Sequence, residues 1–145
     1  MARLIVGHTT HRSTRIWVRG EKRQPVAFLT LEGEGRARSK RIHLEERHGF
    51  TGTVDFTRLS PETEYRVRVA FGDSEDTPET GRVDFGQCHG RLRTFPDPDT
   101  DPRRGPTFLF GSCNLHSLGL VQSPDPVFRR LLRVAESEGA DFMLH

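Results

Sequence analysis

Cysteine, lysine, tryptophan and tyrosine are all scarce in this 145-residue chain, and each scarcity excludes something. Two cysteines, Cys88 and Cys113, cannot build the disulfide framework of a small secreted scaffold, though a single bridge between them stays open. Cys88-His89 is too short a pattern for a zinc site, which needs four spaced ligands. No apolar run approaches about 18 residues, so no membrane-spanning helix is expected. The opening Met-Ala-Arg-Leu-Ile-Val-Gly-His lacks the apolar stretch of a secretory signal, and there is no twin-Arg segment; as written the chain reads as cytoplasmic. Only 33% of residues are hydrophobic and mean hydropathy is −0.62, which suits a half-buried antiparallel sheet or an incomplete domain better than a compact α/β enzyme.

What is abundant is arginine. Twenty of the 22 basic residues are Arg, and residues 1–50 hold 11 basic against 5 acidic side chains, while 51–145 hold 11 against 15. The net charge of +2 selects no partner. A basic face could attract phosphate-bearing ligands, but alternating strands also place Arg on solvent faces by default. No nucleic-acid-specific binding is expected.

From Leu4 to Phe95 the pattern has a period of two, broken by turn residues. Strands are predicted at Leu4–His8, Thr14–Arg19, Val26–Glu32, Ser39–Leu44, Gly52–Leu59, Glu64–Phe71 and Gly90–Phe95, with a short extra one at Val83–Phe85. Gly33-Glu34-Gly35 reads as a turn, and the charged Ser39–Leu44 as an edge strand. In Glu64–Phe71, Tyr65, Val67, Val69 and Phe71 share one face, opposite Arg66, Arg68 and Ala70. Trp17, between two arginines, is expected in core or inter-sheet packing, or else against a second domain. Leu59-Ser60-Pro61-Glu62-Thr63-Glu64-Tyr65 has the spacing of a tyrosine corner, in which the phenol bonds back to nearby backbone. Residues 1–95 therefore read as a fibronectin-III or immunoglobulin-like antiparallel β-sandwich.

Residues 96–106 (PDPDTDPRRGP) read as an extended, semi-rigid linker. Beyond it the grammar changes to strand (Thr107–Ser112), helix (Pro126–Glu138) and strand (Asp141–His145), an incomplete β-α-β. Asp125 is placed as N-cap, Pro126 at the first helical position and Gly139 at the stop. Ser112, Cys113 and Asn114 follow the first strand of this unit, and His145 ends the second. In α/β sheets ligands bind beyond such carboxyl ends. A thiolate at Cys113 could ligate a metal, whereas a lone Cys is more often a small buried hydrophobe. Ser112 lacks the Gly-x-Ser-x-Gly elbow of a serine hydrolase.

In their order and spacing these pieces resemble the PhoD-like (alkaline phosphatase D) family of metallophosphatases. The matching strings are Val6-Gly7-His8-Thr9-Thr10, Ser13-Thr14-Arg15-Ile16-Trp17-Val18-Arg19, Leu59 to Tyr65, Arg93-Thr94-Phe95-Pro96, Phe110-Gly111-Ser112-Cys113, Pro126-Val127-Phe128 and Ala140-Asp141-Phe142-Met143-Leu144-His145. The resemblance implies a fibronectin-like front domain (1–95) and the start of a calcineurin-like metallophosphoesterase domain (107–145). It also implies hydrolysis of phosphate mono- and diesters with metals that include iron and calcium. By that resemblance Cys113 stands for the cysteine that ligates ferric ion, with Asn114 beside it. His145 stands just before the family's Gly-Asp metal motif. The remaining ligands would follow His145, so these 145 residues alone are expected to be inactive, to bind no metal, and to associate through the apolar faces of their C-terminal unit. Family members are often exported, which competes with the cytoplasmic reading. Two other classes stay open: a fibronectin-like binding or scaffolding module, and a Cys/His zinc or redox protein.

Overall fold

The computed structural model describes residues 3–74, 88–100, 105–111 and 126–144. The chain divides into two compact units, Met1–Asp101 and Pro102–His145. The first is an antiparallel β-sandwich, and the described chain is mainly β.

Seven strands build the sandwich: β1 (Arg3–Thr9), β2 (Ser13–Arg19), β3 (Val26–Gly33), β4 (Arg36–His43), β5 (Thr51–Thr57), β6 (Glu64–Gly72) and β7 (His89–Arg93). One sheet has the order β1-β2-β5, the other β4-β3-β6-β7, and every pairing within them is antiparallel. The predicted Val83–Phe85 strand lies outside the described residues. The turn at Glu34-Gly35 has positive φ at both residues, the geometry that matches hairpin twist, and it closes Gly33 onto Arg36.

Alternation fixes what lies between the sheets. Ile16 and Val18 from β2 and Val54 and Phe56 from β5 meet Ala27, Leu29 and Leu31 from β3 and Tyr65, Val67 and Val69 from β6. Each inward side chain of an aliphatic or aromatic kind contributes about 1.5–3 kcal/mol when fully buried. Phe71 is half-buried against this core. Trp17 is not part of it. It sits on the outward face of the first sheet, half-buried, with Ile5 and Thr53 as its register partners, because Ile16 and Val18 already occupy the inward positions of β2. The outward face of the second sheet is not wholly polar either: Val26, Phe28 and Ala70 are buried there too.

The charged edge strand β4 has a second role beyond solvation. Arg38 and Lys40 share its inward side with Ile42, opposite Leu31 and Leu29 of β3. Arg38 donates to the carbonyls of Thr57 (2.7 Å) and Arg58 (2.8 Å), and Lys40 to that of Asp55 (2.7 Å). Lys40 Nζ also lies 5.7 Å from the centre of the Phe56 ring. The two cations thereby occupy carbonyls of β5 and of Arg58 just after it; β5 is an edge strand of the other sheet and would otherwise offer a template for pairing.

In the second unit, β8 (Phe108–Phe110) and β9 (Phe142–Leu144) pair in parallel, with α1 (Pro126–Ser137) between them in sequence. Pro126 opens the helix. Gly139, at φ 62°, closes it in a Schellman arrangement, with the Ala140 amide donating to the Ala135 carbonyl at 2.8 Å. Phe108 and Phe142 stack at 5.3 Å with ring planes 4° apart.

Candidate functional site

Parallel pairing brings two strand ends together. Phe110 is in register with Leu144, and the Gly111 amide donates to the Leu144 carbonyl at 3.0 Å. At the opposite end, the Asp141 amide donates to the Thr107 carbonyl (2.8 Å) and the Asp141 carboxylate accepts the Thr107 amide (3.0 Å). Register and direction are thus tied at both ends of a pair only three residues long. In sequence, Cys113 follows Gly111 by two residues and His145 follows Leu144 directly. Cys113, Asn114 and His145 themselves lie outside the described residues, as do Ser112 and Asp125. Among the described residues no group of three or more His, Cys, Asp or Glu side chains could hold a metal ion.

The helix carries apolar side chains on more than one side. Leu131 and Ala135 are half-buried, while Leu132 is 61% exposed and Val134 is also exposed, alongside Arg129, Arg130 and Arg133. On the strands, Phe110 is 80% and Leu144 54% exposed. Among the described residues, the apolar side chains of the helix are therefore only partly covered.

Cys88 is a buried thiol just before β7, and Cys113, its possible bridge partner in the sequence, lies outside the described residues. Burial pushes its thiol up from the ordinary range, which keeps it protonated and a poor metal ligand or nucleophile.

Tyr65 is structural, as its spacing implies. Its phenol oxygen accepts the Ser60 amide at 2.9 Å, and the ring is 4% exposed. Sequence reasoning missed a companion, Thr94, which is 1% exposed. Thr94 Oγ1 accepts the Thr63 amide (2.9 Å) and donates to the Ser60 carbonyl (2.6 Å), so both side chains hold the same corner. The corner also receives the chain leaving the sandwich. The Glu62 amide donates to the Phe95 carbonyl, the Phe95 amide to the Thr10 carbonyl, and Arg12 pairs with Asp97 at 3.1 Å. The Asp97 carboxylate is held below its usual range, first by the Asp99 amide and then by Arg12. Thr100 donates through its amide and its hydroxyl to the Asp97 carbonyl, so Asp97–Thr100 forms a turn where the proline-rich composition suggests extension.

No protein-family model matches this chain, and no curated protein matches it in sequence. Among solved structures it is similar to PhoD, with a TM-score of 0.57 and 18% identity over 77% of this chain. The matched part is larger than the sandwich unit alone, yet the chain spans only about a fifth of PhoD's own length (22%). It is also similar to the fn3 domain of human collagen α-1(XX), with a TM-score of 0.49 and 19% identity, covering 73% of this chain and 88% of that one. At 18% identity the similarity to PhoD shows a fold alone: an antiparallel β-sandwich, shared with a region of PhoD.

Proposed function

We propose that the chain is the N-terminal part of a metal-dependent phosphomonoesterase or phosphodiesterase of the alkaline phosphatase D type. The observation that carries this reading is the parallel β8–β9 pair with its crossover helix, which follows a fibronectin-type sandwich in a chain whose fold is shared with a region of PhoD. Antiparallel sandwich modules have no need of a parallel unit. In α/β enzymes such units carry ligands at the carboxyl ends of the strands.

Cys113 is the proposed iron ligand, with Asn114 and His145 near the site. In a complete site, iron and calcium would polarise the phosphate ester and supply a hydroxide nucleophile at neutral pH. The residues at hand do not complete such a centre. One thiolate and one imidazole fall short of the ligand set of a metal pair, and by the resemblance the further ligands would follow His145. No catalytic step is assigned to this chain. The 145-residue protein is expected to show no turnover of p-nitrophenyl phosphate or its bis-ester with added iron and calcium. Metal-dependent turnover by the pure chain would overturn the assignment of the missing ligands to sequence beyond His145.

A fibronectin-like binding module without catalysis is the second reading. It is favoured by the sandwich, which closes its core without help from any catalytic group. The coding sequence after His145 separates the two. A Gly-Asp followed shortly by a further acidic ligand supports the enzyme, and a stop codon supports the module.

A further inference from the structure

The outward face of β6 and β7 holds a pair of arginines that no carboxylate among the described residues neutralises. Arg66 and Arg91 are direct cross-strand partners. The Val69 amide bonds the Cys88 carbonyl, so the hydrogen-bonded pairs of this ladder are those two residues apart from it, such as Val67 with Gly90. Arg66 and Arg91 therefore occupy a non-hydrogen-bonded pair, where the α-carbons approach to about 4.5 Å and side chains lie closest. Like charges directly opposite each other destabilise a sheet.

The neighbouring carboxylates are engaged elsewhere. Glu32 is the register partner of Arg66 on β3, yet it pairs with Arg68. Arg93 takes Glu62 at 3.1 Å. Glu64, two residues before Arg66 and opposite Arg93, lines a shallow concavity with Glu32, Gly33, Tyr65 and Arg66, but makes no ion pair with Arg66 or Arg91 among the described residues. Both guanidiniums are exposed and without a carboxylate partner among those residues. The sheet carries a repulsive pair that replacing either arginine with Thr or Glu would relieve.

We propose that this face binds a polyphosphate-type anion, with successive phosphate groups taking the forks of Arg66 and Arg91. This site belongs to the sandwich and is separate from the proposed metal site. Arg is suited to it because its planar fork matches phosphate oxygens in a bidentate manner. Two forks on adjacent strands need closely spaced anionic groups, which a phosphate chain supplies and a single carboxylate does not. Among the described residues no aromatic side chain is exposed beside the pair to stack a base, so the proposed site reads charge rather than sequence.

The test uses the full 145-residue chain and end-labelled inorganic polyphosphate, followed by fluorescence anisotropy over a range of salt. Binding should weaken steeply with salt. The Arg66→Gln/Arg91→Gln protein should lose at least about tenfold in affinity and about two units of the log–log salt slope, one for each contact. Glu64→Gln should tighten binding by removing an adjacent negative charge. Arg23→Gln, in the exposed turn before β3, should change nothing. Arg91→Glu guards against a folding artefact: it should abolish binding while raising the melting temperature, since an opposite-charge pair replaces a like-charge one. Wild-type affinity or slope in the double variant would overturn the site, as would a lowered melting temperature in Arg91→Glu. Equal binding of poly-glutamate would overturn the assignment to phosphate.

Discussion

Removing the Tyr65 hydroxyl and the Thr94 hydroxyl, singly and together, tests how the sandwich holds its corner. Tyr65→Phe keeps the buried ring and deletes only the acceptor of the Ser60 amide, a 2.9 Å bond. Ser60 is half-buried, so water can replace part of the loss, and the cost should be about 1 kcal/mol. Thr94→Val keeps the side-chain shape but strands two groups, the Thr63 amide and the Ser60 carbonyl. Thr94 is almost fully buried, so water cannot substitute, and the cost should be about 2–3 kcal/mol. Both bonds restrain the segment Ser60–Thr63, and a corner already loosened by one change has less to lose from the other. The double variant should therefore fall short of the sum by at least about 0.5 kcal/mol. For a sandwich of this size each kcal/mol corresponds to a shift of roughly 4–8 °C in Tm. Urea unfolding followed by the fluorescence of Trp17, the only tryptophan and a β2 residue, reports on this unit. Single variants within about 0.3 kcal/mol of wild type would refute the corner as a stabilising element. An additive double variant would refute the shared segment.

Two further outcomes follow from the sandwich. Arg38→Ala/Lys40→Ala frees the carbonyls of Asp55, Thr57 and Arg58, and the protein should associate through β5 at lower concentration than wild type in sedimentation velocity; an unchanged distribution would contradict the capping role. The Asp55 carboxylate is held below its ordinary range chiefly by its bidentate bonds to Arg15 (2.7 and 2.8 Å). A carboxylate lowered in the folded state stabilises above its unfolded pKa of about 4 and loses that contribution as pH falls through the lowered value. The acid limb of urea midpoints should thus be shallower for Asp55→Asn than for wild type. The difference should be small because the pair is exposed, and an identical limb would show that the pair contributes nothing.

Local signals were the ones legible in the sequence. The alternation of Tyr65, Val67 and Val69 and the Leu-Ser-Pro-x-x-x-Tyr spacing both lie within a few residues, and both predicted their structures. Thr94 was not legible, because its partners stand 31 and 34 residues earlier in the chain and nothing near it marks a buried hydroxyl. Lys40 looked like a solvent-facing charge of the predicted edge strand Ser39–Leu44, and Arg38 lay before that strand; that both fall on the inward side and reach the carbonyls of β5 and its end depends on the position of β5, which no period in β4 encodes. Trp17 shows the reverse case. Alternation with Ile16 and Val18 already put it on the outward face, and the expectation of core packing followed residue type over register. For the candidate site, the sequence located the strand–helix–strand order, and the pairing added that β8 and β9 run parallel with their carboxyl ends side by side.

The two units differ in how completely their apolar side chains are used, and this bears on any metal chemistry. In the sandwich β2, β3, β5, β6 and β7 bury their inward apolar side chains. In the second unit a pair of three-residue strands leaves Phe110 and Leu144 facing water beside the strand ends themselves. A parallel pair of this length is far from the sheet, covered on both faces, in which parallel strands normally occur. A thiolate ligand two residues past Gly111 needs its strand fixed before it can be held in a coordination geometry, because positioning of the ligand is part of metal affinity. Burial of Phe110 and Leu144 and capture of a metal at Cys113 should therefore be coupled, with one favouring the other. On the proposed reading of Cys113 as an iron ligand, whatever surface covers those side chains acts as part of the metal site without contributing a ligand to it.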